Sequence, residues 1–176
     1  MKGEEMRRVL VLCFFMLVFC LAASAQPAFQ DPLLDHMTGQ WLLQGTVEGK
    51  QTTHDVAAEW VLNHEYIQLH ETAREKDAQG RPAYDAIVFL GWDKNSNHIA
   101  CLWLDTTSGD GLSARTTIGM GKREGNEIVF LFKGSDGSVF HTTFAYNPAD
   151  DTWKWIMDGE EHGKLQPFAR LSLKRK

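Results

Sequence analysis

From residue 39 onward, apolar side chains recur at every second position, in runs broken by short clusters of Gly, Asn, Asp and Pro. A period of two is that of a β-strand with one face against a core. The runs predict ten strands, at about 40–48, 51–62, 65–75, 83–93, 98–105, 112–122, 126–133, 138–146, 152–158 and 165–174. The connections read EGK, NH, KDAQGRPA, KNSN, TTSGDG, REGN, GSDGS, NPADD and GEEHGK. Most carry residues that tolerate the backbone conformations of tight hairpins. None can hold a crossover helix, which takes a dozen or more residues, so sequence neighbours must pair antiparallel. A flat meander of this length would expose two edges and a broad apolar face, and closure removes both. The expected fold is therefore all-β: a single up-and-down antiparallel β-barrel of about ten strands, with a β-sandwich as the alternative. Ahead of it, PLLDHMTG (32–39) suits one or two helical turns, with Asp31 as N-cap, Pro32 at the first helical position and Gly39 closing the segment.

The alternation also assigns faces. If Trp41 points inward, so do Leu43 and Val47, then Val56, Ala58, Trp60 and Leu62. Later strands contribute Tyr84, Ala86, Val88, Leu90 and Trp92; Ile99, Cys101 and Trp103; Ile128, Phe130 and Phe132. Phe140, Thr142, Phe144 and Tyr146 follow, then Trp153, Trp155 and Met157. A one-residue bulge would invert any of these sets. The interior is thus rich in aromatics, which either fill a small barrel or line an apolar cavity. Strand three reads both ways. Ile67, Leu69 and Ala73 share one face with Glu71; Tyr66, Gln68, His70, Thr72 and Arg74 share the other. An inward apolar set leaves the polar set as a solvated face. The opposite choice would put His70 in the lumen, where imidazole could bind a carboxylate or a metal.

Composition narrows the setting. Lys2, Arg7 and Arg8 precede an apolar run from Val9 to Ala22, and Ala23-Ser24-Ala25 follows. That is the pattern of a cleaved secretory signal at 1–25. At about 14 residues the run is shorter than the roughly 20 that span a bilayer as a helix. The expected organisation is a signal peptide (1–25), an N-terminal segment with a short helix (26–38) and a barrel domain (39–176), exported to the periplasm or secreted. No integral membrane segment would then remain. The net charge of −5 carries no electrostatic footprint for nucleic acid. The basic end, Lys174-Arg175-Lys176, reads as a solvated tail. Cys13 and Cys20 fall in the leader, so Cys101 remains alone and forms no intrachain disulfide. Its apolar surroundings mark it as a small buried hydrophobe.

A short helical segment, then Gly39-x-Trp41 at the first strand, then an antiparallel meander resembles the calycins: lipocalins, fatty-acid-binding proteins and bacterial lipocalin-like relatives. The stretches LDHMTGQWLLQG and RPAYDAIVFLGWDKNSNHIACLWLDTTSGDG, with the length, resemble an exported bacterial lipocalin-like family of unassigned function. In calycins the tryptophan plugs one barrel end and a basic side chain of the last strand packs across it; the resemblance gives these roles to Trp41 and Arg170. Guanidinium stacking on indole contributes about 0.5–2 kcal/mol. A more distant resemblance, to nitrobindin-like barrels, implies haem held by a histidine near the C-terminal end, which would be His162. The chain departs from both lipocalins and fatty-acid-binding proteins in its first connection, Glu48-Gly49-Lys50, which is too short to form a lid.

Counting strands puts Trp41 and the NH, KNSN, REGN and NPADD turns at one end. The longer, glycine-richer connections gather at the other, where a ligand would enter. The seven histidines show no zinc-motif spacing. No nucleophile-elbow, phosphate-loop or Cys-x-x-Cys pattern occurs, so no catalytic residue is assigned. The leading expectation is a barrel that binds a small apolar or amphipathic molecule, with Trp60, Tyr84, Trp103, Phe132, Phe144 and Trp155 as walls and His70 as a polar contact. It needs no metal or cofactor. The alternatives are a haem barrel with His70 or His162 as axial ligand, an enzyme with carboxylates or histidine at the mouth, and a filled barrel acting through its surface.

Overall fold

The computed structural model describes residues 31–107, 112 and 116–176. The leader at 1–25, with Cys13 and Cys20, lies outside the described residues, as do 26–30 and parts of the TTSGDG connection and of the strand expected at 112–122. Ten antiparallel strands close into one barrel in sequence order, β1 pairing with both β2 and β10. The strands are β1 (Gly39–Val47), β2 (Lys50–Val61), β3 (Tyr66–Ala73), β4 (Asp85–Asp93) and β5 (His98–Asp105). They continue as β6 (Ile118–Glu124), β7 (Glu127–Lys133), β8 (Val139–Asn147), β9 (Thr152–Glu161) and β10 (Lys164–Arg175). The up-and-down barrel is therefore the fold, and the sandwich alternative is excluded. Among the described residues, no helix is long and apolar enough to cross a membrane.

A single helical turn, α1 (Pro32–Asp35), precedes β1. The Asp31 side chain accepts from Leu33 N at 2.9 Å, and Pro32 occupies the first turn, where no N–H is needed. Leu33, Leu34 and Met37 are buried and stop one end of the barrel. Trp41 is fully buried behind them and donates its indole N–H to Met37 O at 2.8 Å. Trp60 Nε1 donates to Asp35 Oδ1 at 2.8 Å and fastens the helix to β2.

The basic partner of Trp41 is Arg175, not Arg170. In the β1–β10 register Trp41 lies opposite Arg175, whereas Arg170 lies opposite Thr46, towards the other end. The Arg175 guanidinium sits 4.1 Å from the Trp41 ring centre. It also donates to Thr38 O at 2.7 Å, to His36 O at 3.2 Å and to Asp151 Oδ2 at 2.5 Å. Arg170 instead bridges β9 and β10, donating to Met157 O at 2.9 Å and to Asp158 Oδ1 at 2.5 Å. The C-terminal residues are thus no free tail: Lys176 N donates to Gln40 O at 3.0 Å, and its ammonium pairs with Asp55 at 2.6 Å.

The opening glycine of Gly39-x-Trp41 now has a cause. Its φ is +122°, a conformation side chains rarely adopt, and a Cβ there would collide with Arg175 Nη1. Two elements run longer than expected. β9 continues through Gly159 to Glu161, so its connection to β10 shrinks to His162 and Gly163, both at positive φ as a tight hairpin requires. β10 carries a bulge between Pro167 and Ala169, the kind of irregularity at which a sheet accepts proline. Leu62, expected inward, sits in the β2–β3 turn at φ +51° and is 70% exposed. Elsewhere the inward sets hold. On β3, Ile67, Leu69, Glu71 and Ala73 are buried and the opposite parity faces outward. Cys101 is fully buried, which pushes its thiol pKa up.

Gly39→Ala should cost about 2 kcal/mol, the range for a non-glycine residue held in a sparsely populated conformation, seen as a lower urea midpoint with unchanged slope. Asp55, held by Arg74 at 2.6 Å and by Lys176, has its carboxyl lowered to about 2 from 3.8, the Arg74 hydrogen bond being the largest cause. A depressed carboxyl stabilises fully above its unfolded value and loses that contribution as pH falls through about 2. Asp55→Asn should therefore lower Tm at pH 6 and leave it nearly unchanged at pH 2, measured by circular dichroism at low ionic strength.

Candidate functional site

The barrel interior is divided. From the plugged end upward, Trp153, Trp155, Phe130 and Phe144 are fully buried and interlock with Leu43, Val56, Leu69 and Cys101. Above them the side chains no longer meet across the lumen, and a cavity of about 1080 Å³ remains. Its walls come from the ends of β1, β2, β3, β5, β7, β8, β9 and β10 that lie away from α1. The mouth is therefore at the end carrying the longer connections, as the strand count implied. Drug-sized ligands occupy pockets of roughly 300–1,000 Å³, so this one has room for a ligand.

Apolar walls come from Trp103, Phe132, Phe140, Met157, Phe168 and Leu171. Phe168 belongs to them because the β10 bulge shifts the alternation by one. The rim is polar and mostly acidic: Glu48, Glu75 and Asp105 against Lys50.

The seven sequence candidates separate into groups. Tyr84, Trp103 and Phe132 line the cavity. Phe144 and Trp155 lie one layer below, stacked with ring centres 4.7 Å apart, and form its floor with no surface in it. The Trp155 indole N–H has no hydrogen-bond partner among the described residues. Trp60 lies at the plugged end, stacked on His64. His70 points outward, about half exposed, with Nε2 2.8 Å from Asp85 Oδ1.

The polar centre of the cavity is one that composition does not reveal. His54 and Glu71 are 5% and 3% exposed, and His54 Nδ1 lies 2.5 Å from Glu71 Oε1. They sit on neighbouring strands: His54 is opposite Ala73 and Glu71 is opposite Val56. Both therefore point inward, one step apart, within reach on the diagonal. A carboxylate only accepts, so Nδ1 carries a proton; Nε2 lies 2.6 Å from Thr52 Oγ1 and accepts from that hydroxyl when the imidazole is neutral. The Tyr84 ring stacks on the imidazole at 5.6 Å, and its hydroxyl accepts from Trp103 Nε1 at 2.8 Å. Burial, then the Glu71 charge, pushes the Tyr84 pKa up, so the phenol stays protonated. The signal for the pair was parity: His54 shares the phase of Val56, Ala58 and Trp60, and Glu71 that of Ile67 and Leu69. A polar residue in an apolar phase marks either a bulge or a site.

The chain matches no protein-family model and no curated protein. What supports the calycin resemblance is the closed ten-strand antiparallel barrel.

Haem fits these residues poorly. His70 is on the outer surface, and His162 occupies the exposed β9–β10 turn. The one cavity histidine, His54, has both ring nitrogens engaged. Among the described residues, no three metal-ligating side chains converge.

Removing one member of a buried pair strands the other. His54→Leu should destabilise the barrel by about 3 kcal/mol, while Glu71→Gln, which keeps an acceptor, should cost less. Urea unfolding followed by tryptophan emission measures both, and equal costs would show that the imidazole–carboxylate contact does not support the fold.

Proposed function

We propose that this chain is an exported barrel that binds one small, largely apolar molecule with a neutral polar group. The observation that carries this reading is the cavity of about 1080 Å³, walled by aromatics and open at one end. Six large apolar side chains offer a ligand dispersion contacts and removal from water. Thr52, His54 and Tyr84 give it polar contacts at one side of the pocket. The acidic rim and the inward Glu71 carboxyl disfavour a free fatty acid, whose carboxylate would meet like charge, and favour an alcohol, ester, amide or ketone. The packed floor keeps the ligand in the outer half of the lumen, so its length is bounded. Export is supported by the leader pattern at 1–25.

The test is a series of straight-chain primary alcohols, read by tryptophan emission, since Trp103 lies in the wall. A buried methylene contributes about 0.8 kcal/mol, so Kd should fall about fourfold per added carbon until the chain fills the cavity. Beyond that length Kd should level off or rise. No emission change with any member, or a Kd independent of length, would overturn the reading.

A further inference from the structure

We propose that Thr52, His54 and Glu71 act as nucleophile, base and orienting carboxylate, and that the barrel hydrolyses neutral esters held in its cavity. The inference rests on the binding reading above and adds a reaction to it. Three side chains form one continuous hydrogen-bonded line: Thr52 Oγ1 to His54 Nε2 at 2.6 Å, and His54 Nδ1 to Glu71 Oε1 at 2.5 Å. A hydroxyl against an imidazole whose far nitrogen is held by a buried carboxylate is the geometry that activates an alcohol nucleophile, whatever fold carries it. With Nδ1 held by the Glu71 carboxylate, a neutral imidazole turns its free lone pair at Nε2 towards Thr52, as a base requires. A hydrogen bond on the outer surface would have served strand cohesion alone. This one lies in the wall of a cavity, with the hydroxyl at its inner surface.

Two neighbours complete the arrangement. Thr52 lies opposite Gly45 in the β1–β2 register, so no cross-strand side chain covers its hydroxyl from that side. The Tyr84 hydroxyl accepts from Trp103 and keeps its own proton, and its ring stacks on His54. That proton can be donated to an oxygen that becomes negative nearby.

The steps balance without a cofactor. Nε2 takes the Thr52 proton as Oγ1 bonds to the acyl carbon and the carbonyl electron pair moves onto oxygen. The tetrahedral adduct collapses, the ester C–O bond breaks, and the leaving alkoxide takes the proton from Nε2. Water then attacks the acyl-threonine, gives its proton to Nε2, and releases the acid as Oγ1 is reprotonated. Thr52 and His54 touch the reacting atoms; Glu71 is a positioning residue. The acid product is negatively charged beside the Glu71 carboxylate, which disfavours its retention.

The experiment uses p-nitrophenyl octanoate with the purified barrel, following both tryptophan quenching and p-nitrophenolate release, with intact-mass detection of an acyl adduct. The expected result is quenching, release above buffer, and one acyl group on the peptide holding Thr52. Thr52→Val, which keeps the side chain's size, should lower release at least 100-fold, and Thr52→Ser should retain it. Glu71→Gln should lower kcat with little change in KM, and Glu71→Asp should restore part of it. Circular dichroism establishes that each variant is folded. Quenching without release, release unaffected by Thr52→Val, or an adduct elsewhere would overturn the hydrolytic inference and leave the binding reading standing. Absence of quenching together with absence of release would overturn both.

Discussion

Everything in this molecule depends on the hydrogen-bonded seam between its first and last strands. Trp41 to Val47 pair with Arg175 back to Ala169. That pairing removes both sheet edges and sets the register for every strand between. A slip of one residue would turn Trp41 outward and bring Gln40 and Leu42 in. The latch at the plugged end resists such a slip. Arg175 covers the indole, reaches two backbone carbonyls before β1, and occupies the space that Gly39 leaves free. Its strength comes from several charge-assisted contacts converging on one planar group, each of which would be lost together.

Closure also explains why the barrel is half solid and half hollow. The circumference is set by strand number and stagger, and the interior must be filled by whatever the inward positions supply. Near α1 those positions hold Trp41, Trp153, Trp155, Phe130 and Phe144, together with the plug residues Leu33, Leu34 and Met37, and they close the lumen. Nearer the mouth Thr52, His54, Ala73 and Thr142 interleave with Phe132, Phe140 and Phe168, and the side chains do not meet across the lumen. On β6 the inward positions are Gly119 and Gly121, and the Phe132 and Phe130 rings from β7 lie over them. The aromatic ring covers a backbone that would otherwise lack side-chain cover, a device that also pins strand pairing.

The imidazole–carboxylate pair sits at the boundary between these halves. A buried pair of this kind adds little net stability compared with well-packed apolar residues, because removing both groups from water offsets their attraction. It lies on the cavity wall, with a hydroxyl at one nitrogen and a phenol ring stacked alongside. Chains of hydrogen bonds in a low-dielectric site also polarise one another.

The sequence alone determined the architecture. Alternation, the absence of any connection long enough for a crossover, and the need to hide two edges leave a closed meander as the economical solution. Parity placed most inward side chains correctly, because a period of two survives wherever no bulge intervenes. It failed at Leu62, where the strand had already turned, and it said nothing of Phe168, which a bulge brings inward. The choice of Arg170 over Arg175 failed for another reason: which residue of β10 meets Trp41 is a matter of long-range register, and no local pattern carries it. The cavity was equally out of reach, since inward aromatics can fill a cylinder or line it, and only the closed circumference decides. His54 and Glu71 were not among the sequence candidates, although each shares the phase of its strand's apolar positions. That they touch depends on how β2 is staggered against β3, which tertiary structure alone settles, because the energy that fixes the stagger is spread over the whole barrel.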